Sequence, residues 1–214
     1  MEISDATSLA DLAVRVGLLT PNQVQEGWDE IGKRNAAPEV LLRVMERKGY
    51  LTPLQSGKLL KHDSDGYFLG GYRLLYKIAS GSFGRVYRAD DRSGRIVAMK
   101  VLRKKWSEDK HNIELFEREG RVGMSLRHPN IVEILAVNRD PVTRQYFIVM
   151  EFVEGGNLRD FLTIRKKLEP AETLRILEEV ANGLQYALTQ GLTERRVQQV
   201  SPDPHGAEWL AQLV

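Results

Sequence analysis

Residues 78–101 read IASGSFGRVYRADDRSGRIVAMKV, and the fold turns on this stretch. With the residues before it, it contains YRLLYKIAS, RVYRAD and RIVAMKVL, three short runs rich in β-branched and aromatic side chains. Turns separate them, the second being DDRSG, so the runs read as three consecutive strands. The first turn carries Gly81 and Gly84. Glycine has no side chain to keep a phosphate away from the backbone, but ordinary hairpins use glycine as well. Lys100 stands inside VAMKV. A lysine there is either the polar-face member of a half-exposed strand or an ammonium held for an anion.

The next segment bears on that choice. A helix is expected from roughly Glu108 to Leu126, with Leu115, Glu119, Val122 and Leu126 at i, i+4, i+7 and i+11. Glu119 therefore falls in an apolar stripe facing the core. A buried carboxylate without a partner is costly, and Lys100 on the preceding strand is the obvious partner. HPNIVEILAV then gives a turn and a fourth strand, with His128 bracing the turn, and QYFIVMEFV gives a fifth. Two helices follow, near 157–165 and 170–190. On the second, Leu174, Leu177, Ala181, Leu184 and Leu188 form one apolar stripe. Five strands interrupted once by a helix make an α+β arrangement.

Upstream, GLLTPNQ (17–23) returns as GYLTPLQ (49–55). Thr before Pro is a helix start: the Thr oxygen caps free N–H groups and Pro suits the first helical position. Leu9, Leu12 and Val16 make one helical stripe, and Val24, Trp28 and Ile31 a second. Val40, Leu41, Val44 and Met45 make a third; Leu54, Leu59 and Leu60 make a weaker fourth. Residues 1–65 therefore read as a small all-α module of two repeated hairpins, an interaction module with no converging polar residues. KHDSDG (61–66) reads as the linker after it.

Composition removes several classes of function. A formal net charge of +2 makes no electrostatic case for nucleic acid. The absence of cysteine excludes disulfides and thiolate metal sites and fits a reducing, cytoplasmic setting. The N-terminus has early acids and no basic region, so it is a poor secretory signal. No apolar run approaches the roughly 18 residues of a membrane span.

From about Tyr72 to Thr193 the sequence resembles the protein kinases, specifically the N-terminal lobe of the Ser/Thr type. ASGSFGRV resembles G-x-G-x-x-G-x-V, VAMK resembles V-A-I-K, and FEREGRVGMSLRHPNIV is similar to the helix that supplies the lysine's glutamate. IVMEFVEGGNL resembles the hinge. Four independent features fall in the family's order and spacing. The helical repeat ahead of the lobe is similar, more loosely, to N-terminal extensions of bacterial kinases. The resemblance implies a kinase-like lobe with a five-stranded antiparallel sheet and one long helix, followed by the start of a helical C-lobe. It implies ATP as ligand and Mg²⁺ as metal. Lys100, held by Glu119, would contact the α- and β-phosphates. Ile78, Gly81, Ser82, Phe83, Gly84, Val86, Ala98, Lys100, Met150, Glu151 and Val153 would form the nucleotide site. Met150 would back the adenine pocket, and the backbone of Glu151 and Val153 would hydrogen-bond the base.

The sequence departs from the family in two places. Ala79 replaces the first loop glycine, which implies weakened nucleotide contact. ANGLQYALTQGLT (181–193) resembles the helix before the H-R-D-x-x-x-x-N loop, but the His, Asp and Asn positions hold Glu194, Arg196 and Ser201. Beyond Asn182 there is no asparagine and one aspartate, Asp203, and neither D-F-G nor A-P-E occurs. Arg196 cannot accept a proton. The expected organisation is a helical module at 1–65, a kinase-like domain at 72–193 truncated before the catalytic loop, and a divergent tail at 194–214. The expected function is the ATP-binding portion of a Ser/Thr protein kinase, a transferase by resemblance and catalytically impaired as written. The alternative is a non-catalytic nucleotide-binding or protein-interaction scaffold. Neither reading names a protein substrate or partner.

Overall fold

The computed structural model describes residues 5–32, 36–63, 66–155 and 158–190. The chain forms two compact units, Met1–Ile78 with Tyr87–Arg95, and Ala79–Val86 with Ile96–Val214.

The first unit begins with four helices: α1 (Ala6–Arg15), α2 (Pro21–Ile31), α3 (Pro38–Arg47) and α4 (Pro53–Leu59). The sequence repeat is a repeated way of ending one helix and starting the next. Gly17 and Gly49 take left-handed φ values of 77° and 74°, which glycine adopts without Cβ strain. They let the chain turn back so that the N–H groups of Leu18 and Tyr50 reach the carbonyls of Ala13 and Met45. Thr20 and Thr52 then cap α2 and α4 as expected. The sequence reading overlooked the glutamines: Gln23 and Gln55 return bonds to the Thr N–H groups and complete two capping boxes.

Leu9, Ala13, Leu41, Met45, Leu59 and Tyr67 lie in one buried core. Val40 and Leu60, expected on the buried stripes, are exposed. On α4 the buried residues are Gln55, Ser56 and Leu59, because the helix turns a hydrogen-bonding edge inward. Thr52 Oγ1 donates to the carbonyl of Leu75 at 2.5 Å, and Gln55 Nε2 donates to that of Leu74 at 2.9 Å. Both carbonyls belong to β2 (Tyr72–Ser80), which pairs antiparallel with the two-residue β1 (Phe68–Leu69). Around the linker, Tyr67 is buried and its hydroxyl donates to the carbonyl of Asp63. Arg73 of β2 pairs with the buried Asp90 at the end of β3 (Gly84–Asp90), with 2.6 Å between Nη2 and Oδ2. The DDRSG turn follows. There Asp91 accepts from the hydroxyl and N–H of Ser93 and the N–H of Arg95, and the Ser93 hydroxyl foremost holds its carboxyl below the usual range.

The second unit contains β4 (Ile96–Leu102), a 3-10 turn at Lys104–Trp106, α5 (Lys110–Met124), β5 (Ile134–Arg139) and β6 (Tyr146–Glu151). Helices α6 (Leu158–Arg165) and α7 (Pro170–Thr189) follow. The strand order is β1-β2-β3-β4-β6-β5, and β6 runs antiparallel to both β4 and β5. The five expected strands are β2 to β6, and β1 adds a sixth. The α+β class stands.

On α7 the buried positions are Gly183 and Ala187, and the leucine stripe faces outward. Ala187 and Tyr186 pack with Leu126 and Ile131. His128 braces its turn as expected: its Nδ1 accepts from the N–H of Asn130, and its ring stacks on Tyr186. The altered catalytic-loop positions Glu194, Arg196 and Ser201, and the tail 194–214, lie outside the described residues.

Candidate functional site

Lys100 and Glu119 meet. Strand β4 is buried at Val97, Ala98, Met99, Val101 and Leu102; Ile96 and Lys100 are half-buried, and Lys100 is in register with Ile148 of β6. Lys100 Nζ donates to Glu119 Oε1 at 2.6 Å, with 20% and 11% of the two side chains exposed. A charge-assisted bond this short, partly withdrawn from water, fixes the ammonium in place.

The helix delivers Glu119 by a route that the periodicity did not indicate. Asp109 caps α5 by accepting from the N–H groups of His111 and Asn112. The buried line along α5 is Asn112, Phe116 and Gly120, so the expected stripe is offset by one residue and Glu119 flanks it. Gly120 permits the close approach: a Cβ there would lie 2.2 Å from Val137 Cγ2 and 3.2 Å from Ile148 Cγ1. Gly123, one turn on, would meet Ile134 at 2.7 Å. The two glycines let the helix lie against β5 and β6, which brings Glu119 within reach of Lys100.

An apolar core cluster lies in the same unit. Ala98, Met150, Phe116 and Ile148 are buried together, with Val86 and Phe83 packed against them. Glu151 and Glu133 bond in both directions: Glu151 N–H donates to the carbonyl of Glu133 at 2.9 Å, and Glu133 N–H donates to Glu151 Oε1 at 2.8 Å. Val153 is exposed. Ile78 lies on β2 in the first unit and is exposed.

The loop 80–84 is closed by a bond from Gly81 N–H to the carbonyl of Gly84 at 3.0 Å. Gly84 sits close to β4: a Cβ there would stand 3.1 Å from the carbonyl oxygen of Val101, a tight contact that the neighbouring backbone would have to relieve. Two residues not singled out in the sequence reach this loop. Arg103 Nε donates to the carbonyl of Gly81, and Trp106 Nε1 donates to that of Ser82. The only sequence signal was their place just beyond the lysine strand. Among the described residues no three His, Asp or Glu side chains are grouped to hold a metal ion. No described helix is long and apolar enough to cross a membrane.

The protein kinase domain family matches residues 72–196. The serine/threonine-protein kinase PrkC of Bacillus subtilis is 36% identical over 129 residues, which is 60% of this chain and 20% of that protein. The serine/threonine-protein kinase PknA of Mycobacterium tuberculosis is 37% identical over 132 residues, 60% of this chain and 31% of that one. The chain thus spans 20% to 31% of the length of these relatives. Among solved structures, the kinase domain of M. tuberculosis PknI superposes with a TM-score of 0.51 at 28% identity. That match covers 61% of this chain and 52% of the other.

Proposed function

The chain belongs to the protein kinase family, and from that premise we propose that its Gly81–Val153 segment binds ATP in the manner of a Ser/Thr protein kinase. The observation that carries the reading is the 2.6 Å pair between Lys100 and Glu119. An ammonium fixed by a carboxylate, in the same unit as an apolar cluster edged by the partly buried Val86 and Phe83, suits a ligand with an anionic end and a flat apolar end. Lys100 would contact the α- and β-phosphates. Val86 and Ala98 would enclose adenine, with Met150 behind it. The backbone of Glu151 and Val153 would hydrogen-bond the base, and since the N–H of Glu151 is bonded to the carbonyl of Glu133, Glu151 would do so through its carbonyl.

Mg²⁺, when bound in this family, neutralises charge on the transferring phosphate. The described residues offer no grouped carboxylates for it, so no ligand is assigned. Transfer to a protein Ser or Thr hydroxyl would be impaired in this chain, because Arg196 occupies the position of the family's catalytic Asp and a guanidinium takes no proton. A non-catalytic scaffold would use the same nucleotide site. The reading carries a cytoplasmic location with it, since ATP is the donor.

Titration with a fluorescent ATP analogue, together with a radiolabelled transfer assay on a generic protein substrate, tests both parts. Saturable binding that Lys100→Met weakens about tenfold, about 1.4 kcal/mol, with transfer near background, is the expected result. Equal binding by wild type and Lys100→Met would remove the phosphate role. Brisk transfer abolished by Lys100→Met would remove the claim of impairment.

A further inference from the structure

The carbonyls of the glycine-rich loop are gripped one after another. That of Gly81 accepts from Arg103 Nε at 3.0 Å. That of Ser82 accepts from Trp106 Nε1 at 3.1 Å. That of Phe83 accepts from the backbone N–H of Arg103 at 2.9 Å. Arg103 Nη2 also donates to Ser80 Oγ at 2.9 Å. The ring of Phe83 stacks on the indole of Trp106, with centroids 5.1 Å apart and planes 12° from parallel. A glycine hairpin needs none of this, because the Gly81–Gly84 bond already closes the turn.

We infer that Arg103 and Trp106 are positioning residues that set this loop for phosphate, an inference that rests on the ATP reading above. A trans peptide is planar, and its C=O and the following N–H point in opposite directions. Holding the carbonyls of Gly81, Ser82 and Phe83 toward residues 103–106 therefore turns the N–H groups of Ser82, Phe83 and Gly84 the other way. Successive N–H groups aimed to one side are the donor arrangement that cradles phosphate oxygens. A loop already held by this latch also has less freedom to lose when the ligand arrives.

The test uses the full chain and four variants. Trp106→Ala removes ring and donor, Trp106→Phe keeps a ring without the donor, and Arg103→Ala and Arg103→Lys remove the guanidinium fork. Two quantities are read. The first is amide hydrogen exchange over 79–86 without nucleotide. The second is affinity for a fluorescent ATP analogue and, by competition, for adenosine, which has no phosphates. Exchange at Gly81 should rise several-fold in both alanine variants while α5 stays unchanged. ATP-analogue affinity should fall about tenfold and adenosine affinity should hold, with Trp106→Phe and Arg103→Lys in between. Unchanged loop exchange in both alanine variants overturns the latch. Parallel loss of ATP analogue and adenosine, or tighter ATP binding, overturns the phosphate role. If the wild-type chain binds no ATP analogue, the ATP reading and the phosphate role fall together, while the exchange data still decide whether the latch exists.

Discussion

Gln55 of α4 is bonded at both ends of its amide. Its Oε1 accepts from the N–H of Thr52 at 2.9 Å, and its Nε2 donates to the carbonyl of Leu74 at 2.9 Å. Its repeat counterpart Gln23 makes the first kind of bond at 2.8 Å, on an exposed surface. The two glutamines share a motif and differ in burial, which gives an internal control. Gln55→Ala should cost about 2–3 kcal/mol, because it removes a cap and leaves a buried carbonyl without its donor. Gln23→Ala should cost about 1 kcal/mol or less. Denaturant melts of the two variants check the difference, and equal costs would contradict the role of Gln55 on β2.

Replacing Lys100 leaves Glu119 buried without its cation. Lys100→Met should lower stability by up to about 3 kcal/mol, the lower part of the range for breaking a buried pair, because the ammonium keeps some contact with water. Lys100→Met combined with Glu119→Gln should recover much of that loss without recovering nucleotide binding. A double-mutant cycle on melting temperature measures the coupling, and purely additive losses would mean that the pair contributes nothing as a pair.

Gly120 is the close contact that seats α5. Gly120→Val should destabilise the protein by about 1–3 kcal/mol through overpacking against Val137 and Ile148. It should also weaken ATP binding, since Glu119 is the adjacent residue and moves with the helix. Parallel thermal melts and analogue titrations would show both effects. Full stability would indicate that the helix can retreat at no cost.

The exposed leucines of α7 predict a different outcome from the buried glycine beside them. Leu174, Leu177 and Leu188 are 61%, 58% and 57% exposed. Changing all three to Gln should alter stability by about 0.5 kcal/mol or less per site and reduce binding of a hydrophobic dye. Gly183→Val should be damaging, because its Cβ would lie 3.0 Å from the carbonyl oxygen of Asn130. Light scattering and dye fluorescence on the triple variant check this, and dye binding equal to that of the wild type would remove the role of the stripe.

The contrast on α7 explains where sequence reading succeeds. Strands β2 to β6 and both Thr-Pro helix starts follow from local rules, so periodicity and capping residues reveal them. The Lys100–Glu119 pair was expected from an acid in an apolar stripe; the pair forms, although the buried line of α5 runs one residue further on and Glu119 only flanks it. Hydrophobic period picks out the largest apolar face, whereas close packing is chosen by the smallest side chains. Leu174 to Leu188 therefore looked like the core of α7, and Gly183 with Ala187 makes the contact. The same effect moved the buried line of α5 onto Gly120. The bond of Gln55 to β2 and those of Arg103 and Trp106 to the glycine loop escaped notice because the partners are backbone carbonyls, which every residue carries and no sequence marks.

The bonds from Thr52 and Gln55 to β2 separate two boundaries that usually coincide. Family likeness begins at residue 72, but the carbonyls of Leu74 and Leu75 find their donors in Gln55 of α4 and in Thr52, its N-cap. On heating, the four helices and β2 should open as one cooperative event, and a flaw in α4 should register as faster exchange in β2. Inheritance is constrained in the same way. A recombination event that exchanged the helical repeat for another module would strip β2 of two donors, so Thr52 and Gln55 are expected to descend together with the strand they hold.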